Sequence, residues 1–466
     1  MAATEAVPGT GTRGERRVRE GAPGPDPVAR ECTARTYARA LPVVPVRARG
    51  MTIEGADGRR YLDCLSGAGT LALGHNHPVV LDALRGVLDA GAPLHGLGGP
   101  TPVEDAFVAE LLRTLPAGLA DRARVRFCGP GGAEAAGAAA RLVRAATGRT
   151  EVLEVPGAPE AGPPDDGAAF PPGAAGSGAP PAGAVVEPVR LRDGDGASAA
   201  DARLRRLRHA TAARSVPLIA DETRTGVGRT GAFWGVQHSG ITPDVMMLSR
   251  AIGGSLPLAV LVHRDDLGPG RSDGRTDVSA GNQLAMAAGT ATLAYVREHR
   301  LAERAAALGA RMAARLGELA AEHACVGGVR GRGLMLGVAF VRPDGVAGPG
   351  EPGGAAEPGG PGGAVDPAGP GGAADRPAAG ARPPAPGLAG AVQRECLRRG
   401  LIVDLAGPRS GVVRLLPPLT ISDEQADAVL ERLADAVRAV AAGADTGTGP
   451  GRRHGPPGAR TPSYRD

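Results

Sequence analysis

Across residues 184–299, short apolar runs alternate with helical stretches, and this alternation constrains the fold more than any other feature of the chain. The runs at 184–186, 216–220, 245–248 and 258–262 are too short for helices, whereas 200–214 and 282–299 carry helical spacing. Strands interleaved with helices predict an α/β layered domain. Val216-Pro-Leu-Ile-Ala220 has the composition of a buried parallel strand, and it ends on Asp221-Glu222 ahead of the Gly-rich loop Gly226-Val-Gly-Arg-Thr-Gly231. Acids at the C-terminal end of such a strand face the crevice where α/β proteins bind ligands. Acids that only cap a helix or satisfy a loop are an equal alternative.

Gly and Pro, 74 and 43 of 466 residues, make up about a quarter of the chain, so much of it is expected to be loop. They concentrate in four places. Residues 1–28 and 442–466 lack hydrophobic periodicity and read as disordered tails. Residues 156–183 read as a Pro/Gly/Ala-rich stretch after a helix at 133–146 and a strand at 151–155, and 345–386 as a low-complexity insertion between a strand at 334–341 and a helix at 388–399. The net charge of +4 is spread over both signs with no basic block, and aromatics are scarce, which argues against nucleic-acid binding. Five separated cysteines without a CxxC pair read as reduced thiols. No apolar run approaches the ~20 residues needed to span a bilayer, so a cytoplasmic protein without membrane contact is expected.

Two further places carry candidate chemistry. Gly129-Pro-Gly-Gly-Ala133 precedes a helix, and backbone N–H groups there suit a phosphate, although a Gly cluster alone is more often a turn. Arg414 stands alone in the apolar run Val412-Val-Arg-Leu-Leu-Pro-Pro-Leu419, where a guanidinium needs a carboxylate from a ligand or from the protein itself. His75 and His77 invite a metal, but no Cys or acid completes a ligand set, so none is expected.

Taken in order, these segments resemble the class III aminotransferases, which use pyridoxal 5'-phosphate (PLP). Tyr61-Leu-Asp-Cys-Leu-Ser-Gly-Ala-Gly-Thr-Leu-Ala-Leu-Gly-His-Asn-His-Pro78, Gly226–Gly231, Ser239-Gly-Ile-Thr-Pro-Asp244, Gly281-Asn-Gln-Leu-Ala-Met286 and Val329-Arg-Gly-Arg-Gly-Leu334 are similar to its diaminobutyrate:2-oxoglutarate branch. The resemblance implies fold type I: a large three-layer domain at 91–322 with a mixed, mainly parallel sheet, and a smaller α+β domain from 29–90 and 323–441. It also implies a homodimer acting on amino and 2-oxo acids. By resemblance, Asp221 pairs with the pyridinium nitrogen, Gly131, Gly132 and Ala133 cup the phosphate, and Arg414 clamps a substrate carboxylate.

The resemblance fails at the position that matters most. Ser249-Arg250-Ala-Ile-Gly-Gly stands where the family has Ser-Lys-Ala-Ile-Gly-Gly, and none of the 53 basic residues is a lysine. The family's lysine must lose a proton to attack the cofactor aldehyde and then shuttle protons, which a guanidinium cannot do. Losing general acid–base catalysis alone costs about 10²–10⁴ in rate. Arg224 replaces a glutamine expected near the cofactor's phenolic oxygen, and the family's Tyr-His pair falls at Pro159-Glu160. Its phosphate-binding threonine falls at Val278, with Thr276 available after a local shift. Gly137 replaces an acid in the phosphate helix. A mutational bias toward arginine codons explains missing surface lysines but not the loss of this one.

Four readings stay open. One is a pseudo-transaminase with PLP held noncovalently at best, as a homodimer or as a heterodimer with an active paralogue. The second is a working transaminase moving an amino group between 2,4-diaminobutyrate, or a related ω-amine, and 2-oxoglutarate. The others are a ligand-binding module without turnover and a decaying product with unpaired sheet edges.

Overall fold

The computed structural model describes residues 42–94, 100–155, 180–190, 197–268, 281–342, 382–406 and 411–445. Residues 1–28 and 446–466 and most of the two Pro/Gly-rich stretches lie outside them, whereas residues 442–445, expected to belong to a disordered tail, continue the last helix to Asp445.

The chain enters on an antiparallel run of β1 (Pro45–Arg49), β2 (Thr52–Gly55) and β3 (Arg60–Asp63). The central sheet then collects β4 (Ala123–Phe127), β5 (Val152–Glu154), β6 (Gly183–Val186), β7 (Leu218–Asp221), β8 (Val245–Ser249) and β9 (Ala259–Arg264), in the order β4-β9-β8-β7-β6-β5. Strands β5 to β8 pair in parallel, while β9 runs antiparallel to both β8 and β4. The run at 258–262 is therefore the strand that makes the sheet mixed. Next come β10 (Val326–Arg332) and β11 (Met335–Phe340), then β12 (Leu401–Ile402), β13 (Asp404–Leu405) and β14 (Val412–Leu415). A third sheet has the order β10-β11-β14-β13, and β12 adds in parallel to β3, so a late strand completes the first sheet.

The central strands read as continuous apolar runs because both of their faces are covered. On β8 and β9, Val245, Met247, Ala259 and Leu261 pack on one face with Ala135, Ala138, Ala139 and Val143 of helix 132–147. Met246, Leu248, Val260 and Val262 turn to the larger core on the other face. Alternation of side chains along a strand sends neighbours to opposite layers, which makes this unit three layers deep.

Among the described residues the helices longer than ten residues are α1 (Pro78–Asp89), α2 (Pro102–Thr114), α3 (Gly132–Thr147), α4 (Ala197–Ala213), α5 (Gln283–Glu298), α6 (Leu301–Glu322), α7 (Pro386–Arg398) and α8 (Asp423–Asp445). Helix α6 shows why they form: Leu301, Ala305, Leu308, Met312, Leu316 and Leu319 recur every three or four residues and are all buried. Helix α2 starts where the Thr101 hydroxyl accepts from the Glu104 N–H at 3.1 Å, with Pro102 at its first position. Helix α3 stops at Gly148, which adopts a left-handed φ of 68°. The sheet survives the Pro/Gly-rich stretch, since β5 and β6 pair from Val152↔Gly183 to Glu154↔Val185. No helix among the described residues is long and apolar enough to cross a membrane.

Candidate active site

Because β4 and β8 are both antiparallel to β9, they point the same way, and the C-terminal ends of β4, β7 and β8 open on one edge of the sheet. Three candidate groups follow directly from those ends. Asp221 closes β7, Arg250 follows β8, and Gly131 to Ala133 start α3 just after β4.

Asp221 is fixed by its own backbone, with its Oδ1 accepting from the Thr223 N–H at 3.0 Å. A Cβ placed on Gly132 would lie 3.5 Å from Thr223 Cγ2, so the start of α3 and the loop after Asp221 lie against each other. Gly131 is the extended N-cap of α3 and has no side-chain cap, and the Glu134 carboxylate of the first turn lies 3.1 Å from where a Gly131 Cβ would sit. Arg224 is half-buried in the same loop. Thr276 and Val278, the phosphate threonine candidates, lie outside the described residues, as do Pro159 and Glu160.

Arg250 opens a 3₁₀ turn, Arg250–Gly253, with φ at 60°, and it donates through Nη1 to the Ala68 carbonyl at 3.1 Å. That carbonyl belongs to a loop built by Asp63. One carboxylate oxygen of Asp63 accepts from the Leu65 and Ser66 N–H groups, and the other bonds His75 Nε2 at 2.8 Å. His75 is thereby engaged in holding the loop, and His77 precedes α1. Among the described residues no group of three or more His, Cys, Asp or Glu side chains could hold a metal.

Arg414 sits on β14 opposite Gly337 and Asp404, and its guanidinium forms an ion pair with the Asp404 carboxylate. The internal carboxylate, one of the two partners left open by the sequence, is the one present. The residues just past β14 reach the same loop, with the Leu416 N–H donating to the Cys64 carbonyl and Leu419 N–H to that of Ala72. The segment just after β14 is thereby tied to the loop whose turn Arg250 meets, while the Arg414 side chain itself is engaged by Asp404. Sequence reasoning missed Thr223, Ala68 and Asp404, although the small-residue run Ser66-Gly-Ala-Gly69 was a signal for a close backbone approach.

Glu222 is fully buried beside Asp221. Its carboxyl accepts from the Gly235 and Val236 N–H groups at 2.9 and 2.8 Å and shares a hydrogen bond with the Thr225 hydroxyl. Burial outweighs these donors and pushes its pKa up to about 7 from 4.5. The folded protein thus holds this proton more tightly than the unfolded chain does. The resulting stabilisation is complete below about pH 4.5 and is lost as pH rises toward about 7. Glu222→Gln cannot ionise, so the wild type should lose stability relative to that variant between pH 5 and pH 8, by roughly 2–3 kcal/mol. Urea unfolding of both proteins at the two pH values checks this; a difference independent of pH would refute it.

The uncapped start of α3 and the fixed Asp221 fit a phosphorylated pyridine ring held by noncovalent contacts. A covalent hold does not fit, because the chain contains no lysine.

The family model described as Aminotransferase class-III matches residues 33–158 and 177–437. Its interruption at 159–176 falls inside the Pro/Gly/Ala-rich stretch. The chain is 40% identical over 453 residues to a diaminobutyrate–2-oxoglutarate aminotransferase of Rhizobium meliloti, covering 87% of this chain and 90% of that protein. It is 33% identical to one from Haemophilus influenzae, covering 87% and 93%. Among solved structures, the ornithine δ-aminotransferase of Plasmodium falciparum superposes with a TM-score of 0.68 at 22% identity, over 89% of this chain and 98% of that one. An (S)-enantioselective ω-transaminase from Thermomicrobium roseum gives 0.65 at 24% identity, over 86% and 93%. At these identities the structures establish the fold, which is fold type I.

Proposed function

The chain belongs to the class III aminotransferases, a PLP-dependent family, and from that premise we propose that it is a catalytically impaired pseudo-transaminase that holds PLP noncovalently. The observation carrying this reading is chemical: the chain contains no lysine, and Arg250, just after β8, is the residue we read at the family's lysine position. On this reading the N–H groups around Gly131, Gly132 and Ala133 would hold the phosphate, Asp221 would pair with the ring nitrogen, and Arg224 would serve the ring's phenolic oxygen. When bound, the cofactor supplies an electron sink for bonds at an amino acid's α-carbon. Asp221 would sustain that sink by keeping the ring nitrogen protonated. What the chain lacks is a base to move the α-proton, since a guanidinium stays protonated.

The ligands on this reading are amino and 2-oxo acids, with the ω-amine 2,4-diaminobutyrate favoured by the relatives' activity. Arg414 clamps the acid once Asp404 gives way. A homodimer, or a heterodimer with a lysine-bearing paralogue, completes the assignment, with the large domain at 91–322.

A working transaminase is the second reading, favoured by the 40% identity to a diaminobutyrate–2-oxoglutarate aminotransferase. An absorbance spectrum of the purified protein with PLP, dialysed and then given glutamate or 2,4-diaminobutyrate, separates the two. We expect the spectrum after dialysis to remain unchanged by either amine. A protein-dependent conversion to the pyridoxamine spectrum would establish the second reading and sink the first.

A further inference from the structure

We propose that Arg229 forms a buried binding site for a small inorganic anion of the halide class, where the Gly226–Gly231 loop meets the segment after β14. The inference does not rest on whether the crevice binds PLP or an amino acid.

The first observation is where the guanidinium is held. Arginine side chains usually reach for water, yet Arg229 is only 3% exposed. Its loop is closed on itself by the Gly228 N–H donating to the Phe233 carbonyl at 3.0 Å and the Gly231 N–H to the Gly228 carbonyl at 3.1 Å. Val227 and Gly228 wind left-handed, with φ of 59° and 83°. The Arg229 carbonyl accepts from the Leu334 N–H at 2.9 Å, and a Cβ on Gly228 would meet the Val296 and Leu419 side chains at 3.2 and 3.3 Å. Packed on these sides, the loop cannot turn its arginine out to solvent without breaking the contacts.

The second observation is what the guanidinium touches. Nη1 donates to the Pro417 carbonyl, and Nη2 is buried with no hydrogen-bond partner. Among the described residues no carboxylate pairs with Arg229. Two buried acids of neighbouring loops are engaged elsewhere, Asp63 by the Leu65 and Ser66 N–H groups and His75, and Glu222 by Gly235, Val236 and Thr225. Burial lowers the Arg229 guanidinium to about 10, which leaves it charged at neutral pH. The Cys64 thiol acts on it electrostatically, but burial, with Asp63 adding to the effect, pushes that thiol well above its ordinary range and keeps it neutral. A buried cation needs an opposite charge, and a buried donor needs an acceptor. A carbonyl or a water supplies the acceptor alone, whereas a halide supplies both. The enclosure favours a monatomic ion over an organic acid, whose carbon skeleton would need room of its own.

Urea unfolding of the full chain over a range of chloride concentrations, with gluconate holding the ionic strength constant, tests the site. Binding to the folded state alone lowers the unfolding equilibrium constant in proportion to chloride once the ion exceeds its dissociation constant, so about ten times more chloride should cut it about tenfold. Arg229→Met removes the charge and the orphaned donor together, and its unfolding should be indifferent to exchanging gluconate for chloride. Wild-type crystals grown in bromide should show an anomalous peak within hydrogen-bond reach of Arg229 Nη2. A wild-type unfolding constant that is the same in both salts, or an Arg229→Met protein that keeps the wild-type chloride response, overturns the site and leaves Nη2 to a water. Should Arg229→Met fail to fold, the bromide crystals decide: a peak at Nη2 upholds the site, and bromide found only elsewhere, or nowhere, overturns it. None of these readouts involves PLP or turnover.

Discussion

Arg250→Lys is expected to retain PLP through dialysis and to raise transamination by about 10²–10⁴, equivalent to roughly 3–5 kcal/mol of barrier. The substitution gives the chain its first ε-amine, at the end of β8 and one strand away from Asp221. An amine differs from the guanidinium in the two respects the chemistry needs: it can deprotonate, and it can bond an aldehyde carbon. On the proposed reading the gain is limited to the lysine's share, because Arg224 and Gly137 are read as further departures from the family pattern. Initial rates with glutamate and the mass of the borohydride-reduced protein check it. A variant that takes up PLP covalently yet stays inactive would move the defect from Arg250 to those other positions.

Gly254→Ala should be the most damaging conservative change near the site, destabilising the protein by about 2–5 kcal/mol through backbone overlap and an unfavourable φ. Gly254 has φ at 56°, and a Cβ there would lie 2.3 Å from the Ala288 carbonyl oxygen on α5. The approach is reciprocal, since a Cβ on Gly289 would lie 2.1 Å from the Ile252 carbonyl oxygen. Neither obstacle is a flexible side chain, so the turn carrying Arg250 has to move away from α5. A drop in the urea midpoint at unchanged slope is the expected readout. Wild-type stability in this variant would mean that the turn shifts without cost.

Much of the layered architecture was legible because its causes are local. The runs at 184–186 and 245–248 each became a strand, as their length and composition required. The strand at 216–220 began later, at Leu218, and extended to Asp221, so the acid itself closes the strand. Of the site, Asp221, the start of α3 and Arg250 could be placed by their positions after strands, and they meet on one sheet edge. Arg414 was legible as a cation in need of a carboxylate, but not which one. Its partner, Asp404, is ten residues away on a two-residue strand with little sequence signal.

The sequence by itself determined most element types, the family motifs and the absence of lysine from the chain, because periodicity, composition and residue identity belong to short stretches of chain. Tertiary structure alone decided that β12 completes the first sheet, that Glu222 is buried with a raised pKa, and that Arg250 meets Ala68 across 182 residues. Those contacts depend on which distant segments the closed chain brings together. That choice is made by packing over the whole core, and the spacing of neighbouring residues does not encode it.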